Sequence, residues 1–509
     1  MMTDTRIYSR NLAALTVIAV LAALTRFFRL GHQSFWLDEI LTIGSYSSPE
    51  GGISYGEKLM WDVHGPLYSL VMHFWSAASS SEAWLRAPGA AAGVVTVILV
   101  YFWLRREAGE STALTSAMLM AFNPFNIYYS QELRFYSFLT MFVVLSLLAF
   151  SRFDEKPSFR SGLLLGLSLG LACLSHFMAV FLCVGLALYM AVTGRLRGDH
   201  LKYGSLAAGV ALVIVSPWIY REFFFLKRIR ATEAARLPVV YRMEGAGPSA
   251  LMSYPYGLFA FAMGFSYGPD LRELHEAVSA SSLMGRYGLK IGLAALLFGT
   301  VAVAGMVRLV RERRAALYLC VLAATIGLVT MAALLKIKVL NARYLMCAFP
   351  LFIAIVAHGI PRSRIAGIAT AAALCFLMLF SVSDYYFEPR YARDDIREAV
   401  RIISDADMPG DLILAPGMDF AVRYYYRGNR PVESIYAAHL DRDGIEIKLH
   451  GMMEGRRRVW LLSCRPWDTD AEGYIMEYFE AGMSLSAKHE LPGVSLRLYE
   501  PLSGAVDTP

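Results

Sequence analysis

Long apolar runs separated by short polar turns fill the first three quarters of the chain and stop near residue 384. An α-helix rises about 1.5 Å per residue, so a run of about 17 to 25 apolar residues is long enough to cross a bilayer core. Taken in order, the runs at 11–29, 87–104, 112–129, 135–151, 161–175, 177–193, 204–220, 287–307, 315–335, 345–360 and 365–382 predict eleven crossings. The run at 66–79 is only about 14 residues long, which predicts a re-entrant or interfacial helix that does not cross. With that run excluded, Arg105 and Arg106, then Arg152, Lys156 and Arg160, then Arg195, Arg197 and Lys202, then Arg308, Arg311, Arg313 and Arg314, and finally Arg362 and Arg364 all face the side of the basic N-terminus. That is the distribution the positive-inside rule requires. Asp38, Glu39, Glu132 and Arg134 then emerge together on the outer side.

Beyond residue 384 the pattern changes. Residues 393–406 read as an amphipathic helix with Ile396, Val400 and Ile403 on one face, followed by Gly410 and a strand at 411–415. A helix at 418–427 is expected to end at Gly428 in a left-handed cap. Strands at 433–437, 458–463 and 495–499 and a helix at 472–482 complete an alternation that predicts a small α/β domain with a largely parallel sheet. The chain therefore reads as an α-helical polytopic membrane domain over 1–383 and an extracytoplasmic α/β domain over 384–509. The first strand of the tail is not followed by GxGxxG, which argues against a dinucleotide-binding domain.

Composition narrows the class. With 509 residues, 56% hydrophobic and 18% charged, and a mean hydropathy of +0.44, the chain is too apolar for a soluble globular protein. The net charge of +6 lies mostly in the turns between apolar runs, so it signals orientation and does not call for nucleic acid as a partner. Cys173, Cys183, Cys320, Cys347 and Cys375 fall in apolar runs and Cys464 in the tail, with no spacing of a disulfide framework or metal cluster. Arg6 and Arg10 precede an apolar run, but Arg26, Phe27 and Phe28 stand where a small-residue cleavage site would be, so the first span is read as uncleaved.

The candidate chemistry sits at the ends of spans. Asp38 and Glu39 follow the first span within about ten residues, at headgroup height beside Trp36, where a carboxylate can meet a substrate whose tail lies in the bilayer. They serve equally as caps of a short helix beginning near Trp36. Two outer segments carry more basic residues than orientation needs: 221–242, with Arg221, Lys227, Arg228, Arg230, Arg236 and Arg242, and the turn with Lys336, Lys338 and Arg343. They bind an anion or rest on lipid headgroups. Arg343, directly before a span and followed by Tyr344, is placed where a lipid phosphate lies, and its guanidinium can pair phosphate oxygens bidentately.

Phe35-Trp-Leu-Asp38-Glu39, Asp62-Val-His64-Gly-Pro66-Leu-Tyr68, Leu85-Arg86-Ala-Pro88, Ser130-Gln-Glu132-Leu-Arg134-Phe-Tyr136 and Asn341-Ala-Arg343-Tyr344 resemble, in motif order, the bacterial members of the GT-C glycosyltransferases. These are relatives of protein O-mannosyltransferases and of the lipid A aminoarabinose transferase, and the tail is similar to the external domain many bacterial members carry. The resemblance implies inverting transfer of a sugar from a polyprenyl-phosphate donor to an envelope glycan, lipid or protein, in the bacterial cytoplasmic membrane among its lipids, with the chemistry outside. It implies Asp38 as general base. Glu39 and Glu132 are acidic neighbours, either of which orients the acceptor, holds sugar hydroxyls or, with Asp38, helps bind a divalent cation that the spacing does not demand. It also implies that Arg134, Arg343 and Arg228 hold the donor phosphate, with His64, Tyr68, Tyr136 and Tyr344 in the substrate site. Family members commonly have His-Pro-Pro where this chain has His64-Gly65-Pro66. A transporter or flippase of lipid-linked sugars is the alternative, but it calls for ionisable groups near mid-membrane and often for repeated halves. A sensor or scaffold would not need paired acids.

Overall fold

The computed structural model describes residues 2–46, 55, 59, 64–236, 253–276, 280–335, 341–436 and 440–502. Among them, seven helices are long and apolar enough to cross a membrane: Arg10–Phe27, Glu82–Ala108, Tyr136–Glu155, Gly198–Phe223, Ser281–Arg311, Ala315–Leu334 and Arg364–Phe387. Phe159–Ser175, Ala179–Val192 and Phe349–Gly359 are apolar but shorter. The chain is a multi-pass membrane protein. The run at 66–79 forms the ten-residue helix Pro66–Trp75, about 15 Å long against a hydrocarbon core of about 30 Å.

Two expected elements differ. The run at 112–129 is not one span but two helices, Glu110–Phe122 and Pro124–Ser130, because Pro124 offers no N–H to the carbonyl of Met120 and ends the helix before it. Conversely, the helix expected to stop at 220 runs from Gly198 to Arg236 through Pro217. Pro217 leaves the carbonyl of Val213 without its helical donor, and the hydroxyl of Ser216 donates to that oxygen at 2.9 Å, which lets the helix continue.

Helix packing in the apolar region is set by small residues. Gly162, Gly166 and Gly170 recur every fourth position on Phe159–Ser175, and a Cβ on them would overlap Tyr203, Ala207 and Ile214 of the long neighbouring helix. Backbone thus packs on backbone, which is how helices associate where lipid removes most of the hydrophobic drive.

Clustering of contacts divides the chain into two compact units, one of Met1–Leu30, Gly44–Gly268 and Arg286–Asp384 and the other of Gly31–Ile43, Pro269–Gly285 and Tyr385–Pro509. The second contains a five-stranded sheet in the order β2-β1-β3-β5-β4, built from β1 Leu412–Leu414, β2 Val432–Glu433, β3 Val459–Cys464, β4 Met483–Leu491 and β5 Val494–Pro501. The largely parallel sheet expected from sequence is in fact mixed: β1 pairs β2 and β3 in parallel, whereas β5 pairs β3 and β4 antiparallel. The cause is β4, which sequence reading missed because it is mostly exposed and reads Met-Ser-Leu-Ser-Ala-Lys-His-Glu-Leu with no β-branched residue. It turns directly into β5 at Gly493, whose φ is 66°. The helix Arg442–Met453 was also not expected; its Ile445 and Leu449 join Leu412, Leu414, Val459, Leu461 and Tyr499 in the core.

Gly428 does not adopt the expected left-handed conformation; the helix Asp419–Tyr425 ends instead at an extended Tyr426. Gly428 is needed for space, since a Cβ there would overlap the Tyr426 hydroxyl.

The glycine stripe yields a direct test. Gly166→Leu must push apart two backbones in contact, an overpacking cost of about 1–3 kcal/mol, and should lower the thermal unfolding midpoint in detergent. Gly209→Leu, at a helical glycine with open space around its Cβ, should shift the midpoint far less.

Candidate functional site

In the first unit the site is built on the break at Pro124. Arg26, at the end of the first helix, is fully buried. Its Nη1 donates to the carbonyls of Ala22 at 3.2 Å and Ala121 at 2.9 Å, and its Nη2 to Met120 O at 2.9 Å and Asn126 Oδ1 at 2.6 Å. The guanidinium thus serves the carbonyls at the break, including the one Pro124 cannot satisfy. Asn123 caps the next short helix by accepting from Asn126 N–H at 2.9 Å, with Pro124 at the first helical position, where a proline is tolerated. Gln131 Nε2 ties the end of that helix to the carbonyls of Arg26 at 2.9 Å and Phe28 at 2.8 Å. The next residues, Glu132-Leu-Arg134, therefore leave from a fixed point. Gly89 lies against the Ser130 and Glu132 carbonyls, where a Cβ would be tight, and Gly93 against the Ser130 and Arg26 side chains, where a Cβ would overlap.

Around that turn, Glu132 and Arg134 are buried. Arg134 Nη2 donates to His64 Nε2 at 3.3 Å and the guanidinium lies 5.0 Å from the Phe135 ring centroid and 6.0 Å from that of Tyr136. His176 stacks on Phe135 at 4.4 Å and accepts from the Met178 N–H at 3.2 Å. Tyr68 packs edge-on to Phe138 at 5.2 Å. Tyr129 is within electrostatic reach of Glu132, Tyr136 and Arg343 together, and its ring meets that of Tyr136 at 4.8 Å. Arg343 starts from a short 3₁₀ turn capped by Asn341, which accepts its N–H at 3.1 Å, and lies over Tyr344 at 5.6 Å. The first unit thus brings together His64, Arg134 and Tyr136, with Glu132 and Arg343 both acting electrostatically on Tyr129, residues separated by up to 279 positions in sequence.

Gly65 is explained by the same packing. Its φ of −60° and ψ of 140° would suit proline, but a Cβ would overlap the Leu174 carbonyl, so the departure from His-Pro-Pro is one of space.

Asp38 and Glu39 lie in the second unit, in the first turn of the helix Leu37–Tyr46. Glu39 is fully buried; it accepts from the Trp36 N–H at 3.3 Å, as a capping glutamate does, and from Arg393 Nη1 at 2.9 Å. Asp38 is half-buried, and the Thr42 hydroxyl donates to its backbone oxygen at 2.8 Å. Sequence reading missed Arg393 and Arg26, whose only local signal was a charge beside an apolar run or helix start.

The side chain of Arg228, and Lys336 and Lys338, lie outside the described residues. Among the described residues, no group of three or more His, Cys, Asp and Glu side chains is arranged to hold a metal ion.

Residues 63–220 match the family model of dolichyl-phosphate-mannose-protein mannosyltransferases. The structure superposes on the apo oligosaccharyltransferase of Archaeoglobus fulgidus with a TM-score of 0.54 at 11% identity, covering 98% of this chain and 75% of that one. The fold is that of the GT-C glycosyltransferases. The archaeal oligosaccharyltransferase AglB from Archaeoglobus fulgidus, in complex with an inhibitory peptide and a dolichol-phosphate, is similar to the same extent, with a TM-score of 0.54 and 11% identity over 98% and 75% of the two chains. ArnT of Cupriavidus metallidurans, bound to undecaprenyl phosphate, aligns over 99% of both chains at 15% identity with a TM-score of 0.47. No curated relative matches the sequence.

Proposed function

We propose that the protein transfers a sugar from a polyprenyl-phosphate donor to an acceptor hydroxyl, with inversion. The observation that carries this reading is the fold shared with AglB, an oligosaccharyltransferase whose structure holds a dolichol-phosphate, together with the mannosyltransferase match over 63–220. In the proposed reaction Asp38 takes the proton of the acceptor hydroxyl. The acceptor oxygen bonds to the anomeric carbon as the bond from that carbon to the phosphate oxygen breaks, and the lipid phosphate departs as an anion that needs little protonation. Arg343 and Arg134 are the cations proposed to stabilise that anion, with Arg228 as a further candidate, and Glu132 with His64, Tyr68, Tyr136 and Tyr344 to bind donor and acceptor. The cluster around Tyr129, which sets one carboxylate and one guanidinium near two phenols, supports that division. The acceptor is an envelope glycan, lipid or protein, the membrane is the bacterial cytoplasmic membrane, and the chemistry faces outward.

Sidedness can be read from fusions. Reporters placed after Arg106 and after Glu132 should report opposite faces, the first cytoplasmic and the second external; an external signal at Arg106 would overturn the assignment. Asp38→Asn should leave the melting profile intact and lower transfer about 10²- to 10⁴-fold, the usual weight of a general base. Normal turnover by that variant would remove Asp38 from the mechanism. At Arg343, lysine keeps the charge but loses the planar fork, so donor affinity should fall in the order Arg343, Arg343→Lys, Arg343→Ala. A lysine variant that binds donor like the parent would mean that Arg343 only anchors at the headgroups. Arg362→Lys, in an exposed pair with Glu312 at 2.5 Å, should leave donor affinity unchanged.

A further inference from the structure

We infer that the C-terminal α/β domain is part of the catalytic apparatus: through Arg393 it positions the acidic turn, with Glu39 as the anchor and Asp38 as the group presented. The inference rests on the reading of Asp38 as base and assigns the domain a task that the fold likeness leaves open.

Residues 31–39 are bound to the domain at nearly every position. Arg397 donates to the carbonyls of Gly31 at 3.4 Å and His32 at 2.6 Å. Gln33 accepts from the Arg393 N–H at 3.1 Å, and the Ser34 hydroxyl donates to Asp394 O at 2.7 Å. The Phe35 N–H donates to the Tyr425 hydroxyl at 2.7 Å while its ring meets Tyr424 edge-on at 5.9 Å. The Arg465 guanidinium lies 5.1 Å from the Trp36 ring centroid. The last contact is the Arg393–Glu39 ion pair at 2.9 Å, with side-chain exposures of 5% and 0%. These bonds join residues about 350 to 390 positions apart in the chain and flank Asp38 on both sides.

The platform is itself rigid. Asp395 caps the helix Ile396–Ala406 by accepting from the Glu398 N–H at 3.2 Å, and its own N–H donates to Pro492 O at 2.8 Å, in the turn between β4 and β5. Arg465, just after β3, pairs with Asp394 at 2.9 Å. Gly493 is needed because a Cβ there would overlap Asp394. Residues 393–395 are thus locked to the sheet, and through them a half-buried carboxylate is held on ordered elements, as a reacting group must be. Glu39 spends its charge on Arg393 and its oxygen on the helix N-terminus, which makes it a positioning residue and leaves the proton transfer to Asp38.

The test is kinetic and uses the full-length protein in nanodiscs with a polyprenyl-phosphate sugar donor. Arg393→Met should lower kcat by roughly 10- to 100-fold, the usual cost of a misplaced reacting group, with little change in the KM for donor. Adding Glu39→Gln to it removes the uncompensated buried charge and should restore part of the lost stability. Arg393→Lys should recover part of the lost turnover. Tyr425→Phe, which withdraws the acceptor for the Phe35 N–H, should reduce kcat several-fold while lowering the melting midpoint only slightly, and stands in if Arg393→Met does not fold. The decisive comparison is non-additivity: in an Asp38→Asn background Arg393→Met or Tyr425→Phe should cost almost nothing further. If instead these variants slow Asp38→Asn by the same factor as the parent, or leave parental kcat unchanged while Asp38→Asn is inactive, the positioning role is wrong. Normal turnover by Asp38→Asn removes the base and this inference together.

Discussion

Inside hydrocarbon a carbonyl without its helical N–H has no water to turn to, so a broken helix must bring its own donor. Pro124 makes such a break, and the buried guanidinium of Arg26 meets it, reaching the carbonyls of Met120 and Ala121 and the side chain of Asn126. A buried charge is costly unless its donors are used, and five acceptors use them here. The direction in which the chain leaves the break follows, and with it the place of Glu132 and Arg134. Gly89 and Gly93 then bring the helix Glu82–Ala108 against the same turn, so one proline, one arginine and two glycines account for the local geometry around Glu132 and Arg134.

The turn that carries Asp38 and Glu39 obeys a different constraint. Residues 31–43 follow the first helix directly but are built into the C-terminal unit, where hydrogen bonds and a buried ion pair hold them. Where water competes for every polar group, holding a turn takes burial and many partners at once. Glu39 is fully buried while its neighbour Asp38 is half exposed. Adjacent carboxylates of the same chemistry therefore differ in what they can do.

Most of the apolar helices and the short helix after Gly65 were legible from the sequence, because run length and hydropathy are local properties, but how many of them cross was not. β1 and β3 were legible for the same reason, each being a compact apolar run, and β5 through its alternation of apolar and polar residues. The break at Pro124 was written in the chain as well, in Asn123-Pro124, but the apolar run around it hid the signal.

Tertiary structure alone decided the rest. That Gly162, Gly166 and Gly170 form one contact face, that the sheet is mixed, that Glu132 and Arg343 come within reach of one tyrosine, and that Arg393 belongs to Glu39 are matters of partner choice. A residue's composition and spacing state what it can bond to but not which of many equivalent groups will be beside it. For Glu39 the partner lies 354 residues away, on a helix approach whose own sequence reads only as a capped helix start.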